Sequence, residues 1–196
     1  RIEKNIQDSK SNLFYDSLMT RYAAGDSTLN TEEKRHLYYG YTFQDAYAPY
    51  AFSSYRDSLA TVLNQERLDT AAFELIIQYT DVMLSENPFD MRALNYQLYS
   101  LEQIGNFEAF NIRVEQFSAI LDAIISSGYG TSKEEAFYVI STSHEYEMLG
   151  ILGFEFGGQQ SLIEHYDYLT LKENNAELEG LYFDVSPCLN SLKSMF

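Results

Sequence analysis

His36, His144 and His165 are the only imidazoles in this chain. Two of them sit close to carboxylates: Glu145 follows His144, and Asp167 lies two positions after His165. Imidazole beside carboxylate is what a metal centre or an acid–base pair requires. A hydrolase could be assembled from His144, Glu145, His165 and Asp167 if the fold drew all four to one cavity. Their spacing argues against a helix-borne metal motif, because neither pair reads HExxH and the two pairs fall in different elements. The leading expectation is therefore that these are satisfied structural residues, with no metal, no cofactor and no catalytic residue. Ser141 and Ser143 beside His144 do not form a triad, since neighbours in sequence rarely face one another and no nucleophile-elbow glycines are present. No glycine-rich phosphate loop occurs. Cys188 is the single cysteine, so it has no partner for a disulfide, a CxxC motif or a zinc cluster, and reads as a small buried thiol.

A second group of residues suits binding rather than catalysis. The run from position 38 to 55 holds Tyr38, Tyr39, Tyr41, Phe43, Tyr47, Tyr50, Phe52 and Tyr55. That is too many rings for one helix face, so some are expected at the surface. Tyrosine offers a flat apolar face and a hydroxyl, which fits sugar rings and peptide partners alike. Core packing with the hydroxyls bonded near the surface is the leading account of most of them, and the absence of Trp weighs against a dedicated glycan platform. The candidate binding residues are Tyr38, Tyr39, Tyr41, Tyr47 and Tyr50, together with His144, Glu145, His165 and Asp167.

The field around these residues is strongly negative. The chain has 196 residues and a formal net charge of -16. Such a field repels phosphate backbones and anionic membrane surfaces, which leaves solubility or a basic protein or peptide partner as its use. No apolar run reaches the ~20 residues that a membrane-spanning helix needs. The chain opens at Arg1 without a methionine. A removed export signal is the expected reason, although a chain cut at a domain edge would look the same.

The elements that must position these residues are mainly helical. Asp69 caps a predicted helix over 69–86 and Pro88 ends it. A second helix spans 91–104, Gly105 closes it, and a third spans 107–125. Two very short turns leave these three helices no choice but to pack antiparallel in sequence order. Upstream, residues 1–10 read as polar and frayed. A helix starts near Ser11 and closes at Gly25, Thr31 caps the next, and Ser53 or Ser54 caps one running to Leu63. Downstream, Ser132 and Glu135 form a possible capping box. The stretch 137–140 is β-prone, 143–152 reads as a short helix, and Pro187 opens a last one. Tyr166–Lys172 alternates and Leu181–Val185 answers it across a polar loop, which reads as a β-hairpin, with 159–163 as a possible third strand. The expected fold is mainly α (α+β). It is a single domain in which a helical array over 1–130 carries an α+β part over 131–196, the sheet covering the open end of the helical stack.

Two resemblances follow from these residues. Leu84–Phe107, with Pro88, Ala93-Leu94 and Gly105-Asn106-Phe107, resembles a tetratricopeptide repeat, departing from it where Phe110 replaces a small residue. More of the chain resembles a bacterial family, domain of unknown function 4919. The residues that carry this are Arg35-His36-Leu37-Tyr38-Tyr39-Gly40-Tyr41, Asn87-Pro88-Phe89-Asp90, His144-Glu145-Tyr146-Glu147 and Leu181-Tyr182-Phe183. The resemblance implies an exported, periplasmic or surface-associated protein and no assigned activity. The combined expectation is a non-enzymatic, helical-repeat-like module that binds a protein or peptide. A small-molecule or glycan-binding module comes second and the four-residue hydrolase third.

Overall fold

Helix caps and apolar periodicity account for most of the element boundaries in the computed structural model, which describes residues 1–193. The chain forms two compact units, Arg1–Tyr47 with Ala51–Leu121, and Ala48–Tyr50 with Asp122–Phe196. The boundary falls within a helix at Leu121 rather than at 130.

The first unit is helical: α1 (Ile2–Gln7), α2 (Tyr15–Ala23), α3 (Thr31–Gly40), α4 (Arg56–Leu63), α5 (Thr70–Glu86), α6 (Met91–Gln103) and the body of α7 (Phe107–Ile125). The predicted trio over 69–125 is present. Each of its helices starts with a side-chain oxygen that accepts an otherwise unpaired backbone N–H: Asp69 from Ala72, Asp90 from Ala93, and Asn106 from Ala109. Mid-helix contacts fix the antiparallel sense of α5 and α6. The Gln97 amide donates to Ile77 O and, at 2.7 Å, to Asp81 Oδ1. Asp81 Oδ1 also accepts from Arg113 at 3.0 Å, so α5, α6 and α7 converge on one carboxylate. The flank of α7 lies against α2 as well. Gly25 has φ +68, and a Cβ there would stand 2.8 Å from Ile112 Cα. Only glycine accepts both that backbone and that approach. A core of Leu59, Val62, Ala72, Phe73 and Ile76 joins α4 to α5.

Four local expectations need correction. Residues 1–10 are not frayed: α1 buries Ile6, and the Asn5 amide meets His36 Nε2 at 3.0 Å, so contacts with distant α3 order a segment too short to be stable alone. Asn30 rather than Thr31 caps α3, in a reciprocal capping box with Glu33. Tyr55 occupies the N-cap of α4 without a side-chain bond, while Ser53 Oγ accepts from Tyr55 N before the helix begins. Ser132 and Glu135 start no helix. The backbone turns back instead, with the N–H groups of Tyr129 and Gly130 both donating to Glu135 O.

The second unit contains β1 (Phe137–Tyr138), α8 (Ser143–Ile151), β2 (Phe156–Ile163), β3 (Tyr166–Leu171), β4 (Gly180–Asp184) and α9 (Ser186–Lys193). Its four strands are ordered β1-β4-β3-β2. The predicted hairpin is the antiparallel β3–β4 pair, in which Tyr168 faces Tyr182 and Asp167 faces Phe183. β2 pairs antiparallel with β3, and β1 adds to β4 in parallel. Alternation holds along β3: Asp167 and Leu169 are buried, whereas Tyr166, Tyr168 and Thr170 are partly exposed. Buried Val139, Met148, Leu149, Leu181, Phe183 and Cys188 belong to the core of this unit. Among the described residues, no helix is long and apolar enough to cross a membrane.

Candidate functional site

Glu145 lies in the first turn of α8, where the helix dipole favours a negative charge. Its burial opposes that preference, since the residue is 0% exposed. Asp167 comes from the second position of β3, on the buried face, and its carboxylate acts directly on Glu145. Burial first, and then the charge and hydrogen-bonding reach of Asp167, together push the Glu145 carboxyl up to about 9. Neither Glu145 oxygen reaches the geometry of a formed hydrogen bond. The site thus favours the protonated form of Glu145.

A polar chain ties this pair to the surface. The Gln160 amide donates to Asp167 Oδ2 at 2.7 Å, and Gln160 Oε1 accepts from the Tyr146 hydroxyl at 2.6 Å. Burial raises the hydroxyl pKa of Tyr146, and the charges of Glu145 and Asp167 add to it. Burial does the same for Tyr50, with contributions from Cys188, Asp167 and Glu145. The groups gathered here come from α8, β2, β3, α9 and the segment at Tyr50.

A buried acid with a raised pKa beside a second carboxyl is an arrangement that general acid–base chemistry uses. The other predicted site residues are placed as follows. His165 is partly exposed, with Nε2 3.7 Å from Asp184 Oδ2 and its ring 4.0 Å from that of Tyr166. His144 is buried in the first turn of α8. His36 is held in the other unit by Asn5 and, through Nδ1, by Glu32 O at 2.8 Å. Among the described residues, no three His, Cys, Asp or Glu side chains are arranged to hold a metal ion. Of the four residues of the hydrolase reading, Glu145 and Asp167 interact with one another and both are buried, whereas His165 is held at Asp184 and Tyr166.

The tyrosines divide between core and surface, and three of the candidate binding residues fall to the core-packing account. Tyr38, Tyr39 and Tyr41 are buried in the core of the first unit, so their ring faces are not offered to a partner. The reason is Phe89, in the α5–α6 turn. Its ring sits 5.9 Å from Tyr38, 5.0 Å from Tyr41 and 5.3 Å from Tyr22, and the tyrosines form its socket. The Tyr41 hydroxyl donates to Ala46 O. Tyr47 is half-buried against Tyr41, and Tyr50 is exposed. In the first unit the exposed rings of this run are Phe43, Phe52 and Tyr55. Phe52 is 76% exposed, and the Arg56 guanidinium stands 4.6 Å from its ring centre. One signal pointed to Phe52: its neighbours Ala51, Ser53 and Ser54 give it no apolar stripe to join. Gln160 and Tyr146, the links of the polar chain, gave no signal in the sequence.

A mainly helical chain with one small mixed sheet towards its C-terminus defines the class of protein. The chain belongs to the family described as Domain of unknown function (DUF4919), whose model matches residues 1–194. No curated protein and no solved structure matches the chain.

Proposed function

We propose that this protein is a non-enzymatic binding module that works outside the cytoplasm and holds a protein or peptide partner. The contact surface in this reading is the irregular segment on the helical unit that carries Phe43, Phe52 and Tyr55. The observation that carries the reading is Phe52. A phenylalanine so exposed gains nothing for folding, while its ring and the adjacent Arg56 form an aromatic–cation pair of the kind that anchors interfaces. Single exposed apolar residues are ordinary; three large exposed rings between positions 43 and 55 of a tyrosine-rich chain are more than folding requires. The net charge of -16 favours basic or mixed-charge partners and speeds their approach.

Tagged protein recovered from its own cells tests the proposal. Wild type should bring down a defined partner, and a Phe43→Ala/Phe52→Ala double variant with an unchanged circular dichroism spectrum should lose it. A partner retained by the double variant would move the contact surface elsewhere. Fractionation of the natural full-length product tests the address, and recovery in the cytosol would remove that part of the proposal.

A further inference from the structure

The second unit carries a separate feature. β2 is an edge strand, and the side away from β3 has no strand neighbour among the described residues. The strand reads Phe-Gly-Gly-Gln-Gln-Ser-Leu-Ile, with no charged residue and no proline. Edge strands are ordinarily blunted by charge, proline or a bulge, because their free N–H and C=O groups template another strand. Here only a bulge is present. The pairing slips between Phe156 and Gln160, and Gly158 takes φ +95, a conformation that glycine accepts readily. The bulge bends the first half of the strand and leaves Gln160–Ile163 as a regular open stretch. Within it, Leu162 pairs with Asp167 and so belongs to the buried face of the sheet, yet it is 55% exposed. Ile163 next to it is also exposed.

Charge decides what fits there. From Asp122 onward the sequence has no arginine and only three lysines, against a large excess of Asp and Glu. Lys172 and Lys133 are already paired with Glu155 and Glu164, which flank the two ends of β2. A second copy of the chain would bring the same negative field against itself, which disfavours edge-to-edge self-pairing. We propose that the open edge at Gln160–Ile163 accepts a short, extended, basic peptide segment as an added strand. Main-chain hydrogen bonds would supply the pairing, the apolar residues of the peptide would cover Leu162 on one face of the sheet, and its lysines or arginines, on the opposite face with Ile163, would meet the acidic surroundings. This surface is independent of the aromatic segment proposed above.

The probe is a synthetic seven-residue peptide of alternating Lys and Val, followed by amide chemical shifts of 15N-labelled protein. The expected result is saturable perturbation centred on Gln160–Ile163, with slowed hydrogen exchange there. Two controls separate strand pairing from charge attraction. Methylating alternate backbone nitrogens of the peptide keeps its charge but blocks its donors, and should weaken binding roughly tenfold or more. Leu162→Glu adds negative charge to the protein, so charge attraction alone would strengthen binding, whereas strand pairing over an apolar edge predicts weaker binding. Equal affinity for the methylated peptide, tighter binding by the variant, perturbation away from β2, or no binding at millimolar peptide would each overturn the proposal. So would protection of the β2 amides by dimerisation without peptide, which would make a second copy the occupant.

Discussion

Replacing Glu145 with glutamine should change how stability responds to pH. The folded chain holds this carboxyl at about 9, against an ordinary 4.5. Below the ordinary value both folded and unfolded states are protonated, and Glu145 contributes no pH dependence. Between about 4.5 and 9 the folded state keeps a proton that the unfolded state has lost, so raising the pH favours unfolding. Each pH unit in that window removes about 1.4 kcal/mol of stability, and by pH 7 the accumulated loss from this group is about 3 kcal/mol. Above 9 both states are ionised and the loss levels off. Glutamine has nearly the same shape and no proton to lose, and its amide can donate towards Asp167. Urea unfolding of wild type and Glu145→Gln, followed by circular dichroism at pH 5, 6, 7 and 8, isolates the effect because other titrating groups are common to both. The variant should gain on wild type by about 1.4 kcal/mol for each unit of rising pH. Parallel stability curves would refute the reasoning, since they would mean that Glu145 is already ionised in the folded protein or never buried away from water.

Three further outcomes follow from the packing. Gly25→Ala should destabilise by about 1–3 kcal/mol in thermal melts, because the new Cβ meets the Ile112 backbone in a left-handed conformation. Phe89→Ala should cost about 3–5 kcal/mol and loosen the near-ultraviolet tyrosine signal, since it empties the socket formed by Tyr22, Tyr38 and Tyr41. Asn30→Ala should cost about 1 kcal/mol by breaking the capping box with Glu33, as read from the shift in urea midpoint.

Legibility in the sequence followed the range of the interactions. The helices over 69–125 were readable because their punctuation is local: Asp69, Asp90 and Asn106 cap within three residues, and Pro88 and Gly105 stop what precedes them. The β3–β4 hairpin was readable because its period of two shows Asp167 and Leu169 turning one way and the tyrosines the other. α1 was not, since its one buried residue, Ile6, finds its partners on α3. The tyrosine socket was hidden for the same reason: Phe89 is distant in sequence from the rings that surround it. Glu145 and Asp167 were each named, but each beside its neighbouring histidine. Their association with one another comes from α8 and β3 meeting in the fold, and no spacing rule reports it.

The most direct test of the binding account places a photo-reactive phenylalanine analogue at position 52 and, as a control, at exposed position 10 of the same unit. Illumination in the producing cells should give a discrete cross-linked species from position 52 and none from position 10. That species should disappear when Phe43 and Tyr55 are both changed to alanine. No adduct at position 52, or the same adducts from both positions, would contradict the claim that this aromatic segment holds a partner.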